Sequence, residues 1–253
     1  MSSRRPLQAR RLIAEYLGTL LLVTAVVGSG ITAVNLSPND VGLQLLENSV
    51  ATMLALAVLI LTLGPVSGAH FNPVVTLADW WLHRHDPDTI GVTEVAGYVG
   101  TQVLGAISGA VLANLMFGLP AVSWATTTRT TPHLWIGETV ATGGLILLIF
   151  ALVRTHRTRY APAAVGAYIG AAYWFTSSTS FANPAVTIGR AFTDTFAGIS
   201  PPSVPGFIAF QLVGAAVGLA LVLVLYPRQT TVTGDTAPTE PAATQRVPAR
   251  SRS

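Results

Sequence analysis

Six apolar stretches constrain the fold of this chain more than any other feature, because each is close to the roughly 20 residues that an α-helix needs to cross a bilayer. They run over residues 11–35, 43–64, 93–117, 132–153, 162–178 and 205–227. Only 10% of the 253 residues are charged, whereas soluble domains carry about 25%, so most of the surface cannot face water. The sequence predicts an all-α membrane protein with six transmembrane helices.

Arginine supplies all 14 basic residues, and it is distributed unevenly along the chain. Arginines precede the first apolar stretch, follow residues 83 and 153, and recur in residues 228–253, whereas the loops at 36–42 and 195–204 have none. Because arginine-rich loops stay on the cytoplasmic side, both termini are predicted to be cytoplasmic. Residues 1–10 then form a basic cytoplasmic N-terminus. Residues 228–253, rich in Thr, Pro, Ala and Arg, are expected to be a disordered cytoplasmic tail.

The chain contains an internal repeat with halves at about 11–117 and 132–227. A Glu-x3-Thr pattern occurs in the first and fourth stretches, and a Gln-x2-Gly-Ala pattern occurs in the third and sixth. The matched residues are Glu15 with Glu138, Thr19 with Thr142, and Gln102 with Gln211. Since each half holds three spans, the second half must enter the membrane from the opposite side. Such inverted repeats are typical of channels and transporters.

An Asn-Pro pair interrupts each half, in HFNPVVT at residues 70–76 and in FANPAVT at residues 181–187. Asn is a preferred helix N-cap and Pro a preferred first helical residue, so Asn72 and Asn183 are each predicted to begin a helix. About 10 helix-competent residues follow each pair, roughly 15 Å, or half of the ~30 Å hydrocarbon core. Two half-helices entering from opposite sides would meet at the centre. The non-helical backbone before them then requires a water-filled cavity or surrounding protein, which predicts a pore.

Enzymatic chemistry has no support in the sequence. Cysteine is absent, which excludes disulfides and thiol nucleophiles. Neither a Gly-rich phosphate loop, a nucleophile elbow nor a pair of catalytic carboxylates is present. We expect no enzyme activity, no cofactor, no metal site and no nucleic-acid partner. The calculated pI near 9.7 reflects arginines placed as topology signals.

With these motifs, residues 11–227 resemble the major intrinsic protein (aquaporin) family. SGAHFNPVVT is similar to the first loop motif of the family, with Val74 where Ala is usual, and FANPAVT is similar to the second. The resemblance implies six transmembrane helices and two re-entrant half-helices in one channel domain. It also implies a homotetramer in the plasma (inner) membrane of a bacterium.

The resemblance assigns roles to named residues. The two Asn-Pro-Ala-type motifs are Asn72, Pro73, Val74 and Asn183, Pro184, Ala185. The loop backbone facing the pore comprises Gly68, Ala69, His70, Thr179, Ser180 and Phe181. Glu15 and Glu138 fit either a proton relay or acceptors for the N–H groups of the loops, and the resemblance favours acceptors.

The selectivity filter implied by the family departs from the usual pattern. Counting from the two Asn residues gives Thr52, Ala171, Ser180 and Val186, where most members have Arg in place of the Val. We therefore expect a wide constriction without a charge, with Arg190 one turn beyond Val186. TSFANPAVTI and DTFAGI resemble a bacterial subgroup of aquaglyceroporins linked to arsenic resistance, thought to pass neutral metalloid hydroxides.

The sequence thus predicts a passive channel for small neutral solutes: arsenite as arsenous acid, glycerol-like polyols and water. Cations, protons included, are expected to be excluded. Three alternatives remain open, namely a water-selective aquaporin, an ion- or proton-coupled transporter, and a non-conducting junction-type membrane protein. The channel is favoured because none of the predicted filter or Asn positions titrates in the physiological range.

Overall fold

The computed structural model describes residues 4–86 and 89–227, with side chains from residue 8 onward, and contains no strand within those ranges. Its ordered elements are eight α-helices and three short 3₁₀ turns. The helices are α1 (Arg4–Leu36), α2 (Val41–Ser67), α3 (Pro73–His83), α4 (Val92–Met116), α5 (Pro132–Arg154), α6 (Ala161–Phe175), α7 (Pro184–Gly189) and α8 (Val204–Leu225). Six long helices and two short ones confirm the predicted fold class.

Helices α1, α2, α4, α5 and α8 are long and apolar enough to cross a membrane. Helix α6 has 15 residues, follows a 3₁₀ turn at Thr158–Tyr160, and ends at Phe175 rather than at the predicted residue 178. Helix α1 begins at Arg4, so the predicted boundary at residue 11 falls within a helix. The predicted tail, residues 228–253, lies outside the described residues.

Paired glycines bring the helices of each half into close contact. Helix α1 packs on α4 and helix α5 on α8. A Cβ atom added to Gly105 would lie 2.4 Å from the carbonyl oxygen of Tyr16, and one on Gly214 would lie 2.6 Å from that of Thr139. No side chain fits in either place, so these glycines serve helix packing, as expected for small residues in membrane helices.

The two half-helices begin next to each other and run into opposite halves of the molecule. Helix α3 has 11 residues, whereas α7 has six and continues as a 3₁₀ turn at Arg190–Phe192. The expectation of about 10 helical residues after each Asn is therefore met by α3 but not by α7 alone. Where α7 ends, Gly189 lies against the Ala106 carbonyl of α4, and a Cβ atom there would approach the oxygen to 2.6 Å.

Candidate functional site

Each half-helix is capped by its Asn. The Asn72 Oδ1 accepts from the backbone N–H of Val74 at 3.1 Å, and the Asn183 Oδ1 accepts from those of Ala185 and Val186 at 3.0 and 3.3 Å. Pro73 and Pro184 occupy the first helical position after their caps. The sequence folds this way locally because Asn satisfies otherwise unpaired N–H groups and Pro has none to satisfy.

The two caps are also joined to each other's loops. The Asn72 Nδ2 donates to the carbonyl oxygen of Ala182 at 2.8 Å, and the Asn183 Nδ2 donates to that of Phe71 at 2.7 Å. Each acceptor directly precedes the opposite Asn in the chain. Since an amide carries two N–H groups, one remains on each Asn for another partner. Each Asn side chain thus caps its own half-helix, bonds to the opposite loop and keeps one N–H group free for another partner.

The loops before the caps repeat an uncommon backbone conformation. At four, three and one residues before each Asn the φ angle is positive, mostly at non-glycine residues. The values are 90°, 50° and 48° at Gly68, Ala69 and Phe71, and 59°, 50° and 48° at Thr179, Ser180 and Ala182. Left-handed residues cost energy unless the surroundings fix them. The same three positions in both loops therefore indicate one shared requirement.

Two buried carboxylates fix these loops, and both are 0% exposed. Glu15 accepts from the backbone N–H groups of His70 and Phe71 at 3.0 and 2.7 Å. Glu138 accepts from those of Phe181 and Ala182 at 2.9 and 2.8 Å. The contacts are those of acceptors for loop N–H groups.

A glutamine completes each arrangement. The Nε2 of Gln102 donates to Glu15 at 2.7 Å and to the Thr76 hydroxyl at 2.9 Å. The Nε2 of Gln211 donates to Glu138 at 2.6 Å and to the Thr187 hydroxyl at 2.9 Å. The repeated Glu and Gln residues of the sequence thus meet around the loops in both halves.

A cavity of about 290 Å³ runs between the two loops. Both cap residues line it, together with Thr52, Ser180 and Val186 of the predicted filter. Predicted loop residues that also line it are Gly68, Ala69, His70 and Phe181. Predicted residues that do not are Pro73, Val74, Pro184, Ala185, Thr179, Ala171, Glu15 and Glu138. The carboxylates and prolines support the cavity from behind its wall.

Ala171, one of the predicted filter residues, does not line the cavity. It lies on the exposed face of α6 and is absent from the cavity wall, whereas Tyr173, two residues on, is buried and lines the cavity. The Tyr173 hydroxyl donates to the Thr52 hydroxyl at 3.3 Å. Two residues on a helix correspond to a rotation of about 200°, which exchanges the inner and outer faces. Spacing alone therefore selected the wrong face of α6.

Two charged residues that do not belong to the predicted filter line the cavity. Arg190 is 3% exposed and lines the same cavity as Val186. Asp79 lines the cavity as well, near its α3 end, and its carboxylate lies 3.2 Å from the ring of His83. The sequence held a signal for both charges, since each stands seven residues after the Asn of its half.

The loop between α4 and α5 brings a second arginine to this end of the molecule. The Nε of Arg129 donates to the carbonyl oxygen of Gly198 at 3.2 Å. Its guanidinium carbon lies 5.2 Å from the centroid of the Phe181 ring, and that of Arg190 lies 3.4 Å from the same centroid. Burial lowers the pKa of Arg129 from its ordinary value, opposed by the charge of Glu138. Arg129 does not line the cavity.

Residues 2–180 match the family described as Major intrinsic protein. The chain belongs to this family. The aquaglyceroporin AqpS of Rhizobium meliloti strain 1021 is 51% identical over 216 residues, covering 84% of this chain and 88% of the relative. The aquaporin AqpM of Methanothermobacter thermautotrophicus is 28% identical over 245 residues, covering 86% of this chain and 96% of the relative.

Solved structures agree on the fold. The structure of the aquaglyceroporin from Plasmodium falciparum is similar with a TM-score of 0.60 at 21% sequence identity, covering 85% of this chain and 95% of that one. The family match and the similarity to AqpS confirm the family identified from the two Asn-Pro motifs. This member of the family is a membrane protein and a channel for small solutes.

Proposed function

We propose that this channel is passive and conducts small neutral solutes rich in hydroxyl groups, namely arsenous acid, glycerol and water. The observation that carries this proposal is the set of unpaired carbonyl groups in the two loops. No donor among the described residues reaches the carbonyl oxygens of Gly68, Ala69 and His70, or those of Thr179, Ser180 and Phe181. All but Thr179 line the cavity.

These carbonyl oxygens suit a solute with several hydroxyl donors. The two loop N–H groups directly before each Asn donate to Glu15 or Glu138, and those of Ala69 and Ser180 donate to serine hydroxyls. The loops therefore offer the cavity acceptors. The free N–H groups of Asn72 and Asn183 add donors between them. A polyol or trihydroxide can replace its hydrogen bonds to water with hydrogen bonds to these carbonyl oxygens and Asn N–H groups. Most of the remaining wall, including Leu22, is apolar and offers such a solute little resistance.

Exclusion of ions follows from the same geometry. Asn72 and Asn183 direct amide donors, and α3 directs its N-terminus, toward the middle of the cavity. Helix N-termini carry about half a positive charge, which opposes cations at that point. A neutral solute meets no such barrier. Arsenous acid and glycerol are both uncharged at neutral pH and carry three hydroxyls each.

The relatives support the solute class. AqpS is named an aquaglyceroporin, and it is 51% identical to this chain. The motif resemblance to the arsenic-resistance subgroup adds arsenous acid to glycerol as a solute. We propose that the charged oxyanion arsenate is excluded, because an anion must lose its hydration in a largely apolar cavity.

We also propose the assembly and orientation implied by the family, a homotetramer in the plasma (inner) membrane of a bacterium with both termini cytoplasmic. Exposed apolar side chains on the outer faces, such as Leu61 on α2 and Val224 on α8, suit contact with lipid or a neighbouring subunit. Native mass spectrometry in detergent should give four copies. Proteolysis of sealed vesicles of known orientation should release the tail only when its side is accessible.

Stopped-flow light scattering on proteoliposomes tests the transport activity. Glycerol, arsenite and water should each enter faster than in protein-free liposomes, with rates proportional to the solute gradient. Collapsing the pH gradient and membrane potential with ionophores should leave the rates unchanged. A rate that requires either gradient would make the protein a coupled transporter. If all three solutes enter only as fast as in protein-free liposomes, the protein has a non-conducting role. If only water enters faster, the protein is a water-selective channel.

A further inference from the structure

Arg190 is a buried arginine that forms no salt bridge with the described residues. Its residue is 3% exposed, and its Nε donates to the backbone carbonyl of Ala197. Within residues 8–86 and 89–227, no carboxylate lies at ion-pair distance from it. A buried charge without a counter-charge is costly. In a membrane protein, such a residue marks a functional position by default.

The position of the guanidinium is fixed by rigid parts of the molecule. Its carbon lies 3.4 Å from the centroid of the Phe181 ring, which suits a cation over an aromatic face. Phe181 is held in turn, because its N–H donates to Glu138 and its ring packs edge-on against Phe207 at 5.0 Å. The terminal nitrogens of Arg190 have no hydrogen-bond partner in the described part of the chain.

Those nitrogens share the cavity with an unpaired hydroxyl. The Ser180 Oγ is buried and has no hydrogen-bond partner among the residues that the structure describes, and Ser180 and Arg190 both line the cavity. Tyr173 and Thr52, joined by a hydroxyl hydrogen bond, line it too. Buried polar atoms are rarely left unpaired in proteins. A solute bearing hydroxyl oxygens would satisfy both the guanidinium and Ser180.

The two halves place opposite charges at matching positions. Asp79 and Arg190 each stand seven residues after their Asn and line the cavity. Asp79 lies on α3 and Arg190 just beyond α7, so the charges belong to opposite ends of the cavity. A carboxylate at the α3 end attracts cations. Of the two charges, only Arg190 at the other end repels cations, and it adds to the barrier at the middle of the cavity.

We propose that Arg190 is a specificity-determining residue of this channel, which repels cations from the α7 end of the cavity and donates hydrogen bonds to the oxygens of neutral solutes. The proposal rests on the proposed channel function. It differs from the filter expected from the sequence, because the charge comes from one turn beyond Val186. Like charges a few ångströms apart repel strongly in a medium of low dielectric constant, so one guanidinium suffices as a barrier.

Removal of the charge tests the proposal. We expect Arg190→Gln to raise the Na⁺ and K⁺ conductance of planar bilayers by roughly tenfold or more over the parent. Arg190→Lys keeps the charge and should stay cation-tight, but with slower glycerol flux, since it loses the planar donor fork. In the Arg190→Gln background, Val186→Arg should return a charge to the wall and suppress the leak.

Arg129→Gln is the matched control, because it makes the same chemical change beside the same Phe181 ring but outside the cavity wall. It should remain as cation-tight as the parent. If Arg190→Gln does not fold, Phe181→Leu removes the ring that positions Arg190 and should give a smaller leak. The proposal would be overturned if Arg190→Gln excludes cations and conducts glycerol as the parent does. If Arg190→Gln does not fold, the same result in Phe181→Leu would overturn it. If the parent protein itself conducts no glycerol, the proposed channel function is contradicted instead. The two failures are distinguishable because cation conductance is measured separately from glycerol flux.

Discussion

The two halves of this channel are alike where they hold the backbone and different where they meet the solute. Both have an Asn cap bonded to the opposite loop, left-handed residues at the same three places, and a buried glutamate that accepts from loop N–H groups. They differ at the seventh residue after the Asn, where one has Asp79 and the other Arg190. The repeat thus duplicates the residues that hold the backbone, whereas the charges that line the cavity differ between the halves.

The largest effect should come from removal of the loop-supporting carboxylates. Glu15→Leu and Glu138→Leu each leave several buried donors unpaired, at about 1–3 kcal/mol for each donor. We expect both to lose most of their folded protein, as measured by yield and by the monodisperse fraction in detergent. Glu138→Gln keeps one acceptor oxygen and should fall between Glu138→Leu and the parent.

Glu94→Leu is the control for this pair, because Glu94 bonds only an exposed N–H at the start of α4. The free energy of unfolding of Glu94→Leu should differ from that of the parent by about 1 kcal/mol or less. A stable Glu15→Leu beside an unfolded Glu138→Leu would show that the two halves do not share this requirement.

Substitution of the packed glycines should have the next largest effect on stability, and the effect should be equal in both halves. Gly105→Ala and Gly214→Ala place a Cβ atom 2.4 and 2.6 Å from a facing carbonyl oxygen. Overpacking of this kind costs about 1–3 kcal/mol. Thermal unfolding in detergent measures it. Gly100→Ala, on α4 with nothing within 4 Å, should be neutral or slightly stabilising, and a similar loss there would remove the packing argument.

Replacement of the cap residues should have an intermediate effect. Asn183→Ala loses a cap that accepts two N–H groups, and Asn72→Ala one that accepts a single N–H. We expect each to cost about 1–2 kcal/mol, slightly more for Asn183, and to reduce glycerol flux. Asn183→Asp keeps the cap but loses the donor to Phe71, so it should retain stability better than flux. Parent-like flux in both Asn183 variants would remove Asn183 from the conducting path.

The smallest effect concerns the one left-handed position at which one loop has glycine and the other does not. Gly68 has a φ angle of 90°, and Thr179 at the equivalent place has 59°. A left-handed conformation costs a branched residue about 1–2 kcal/mol, partly offset by the greater entropy of an unfolded glycine. Thr179→Gly should therefore raise stability by roughly 0.5 kcal/mol, while Gly68→Thr lowers it. Thermal unfolding measures both changes, and a loss of stability in Thr179→Gly or a gain in Gly68→Thr would contradict the equivalence of the loops.

The fold was largely predictable because its signals repeat. Six apolar stretches gave six helices, and two Asn-Pro pairs gave two half-helices, since length and capping depend on local sequence. Glu15 and Glu138 were found because they occupy matching places in the repeat. Helix α7 was shorter than expected: it ends at Gly189, which packs against the Ala106 carbonyl of α4, a contact that no local signal encodes.

The cavity wall was less predictable because it depends on rotation about a helix axis. A count of residues back from Asn183 assumes the path of the intervening loop, and a shift of two positions exchanged Tyr173 for Ala171. Arg190 was noticed but not counted, since its orientation depends on contacts with the Phe181 ring and the Ala197 carbonyl, which the motif pattern does not encode. Side-chain direction needed tertiary structure.

The most direct test of the central claim, that solutes pass between the two loops, is the glycerol flux of two tryptophan variants in proteoliposomes. Val186→Trp fills the cavity wall between Asn183 and Arg190, whereas Ala171→Trp adds the same side chain to the exposed face of α6. At matched incorporation and with both variants eluting as the parent does, Val186→Trp should reduce flux to the level of protein-free liposomes and Ala171→Trp should leave it unchanged. Parent-like flux in Val186→Trp would contradict conduction through this cavity.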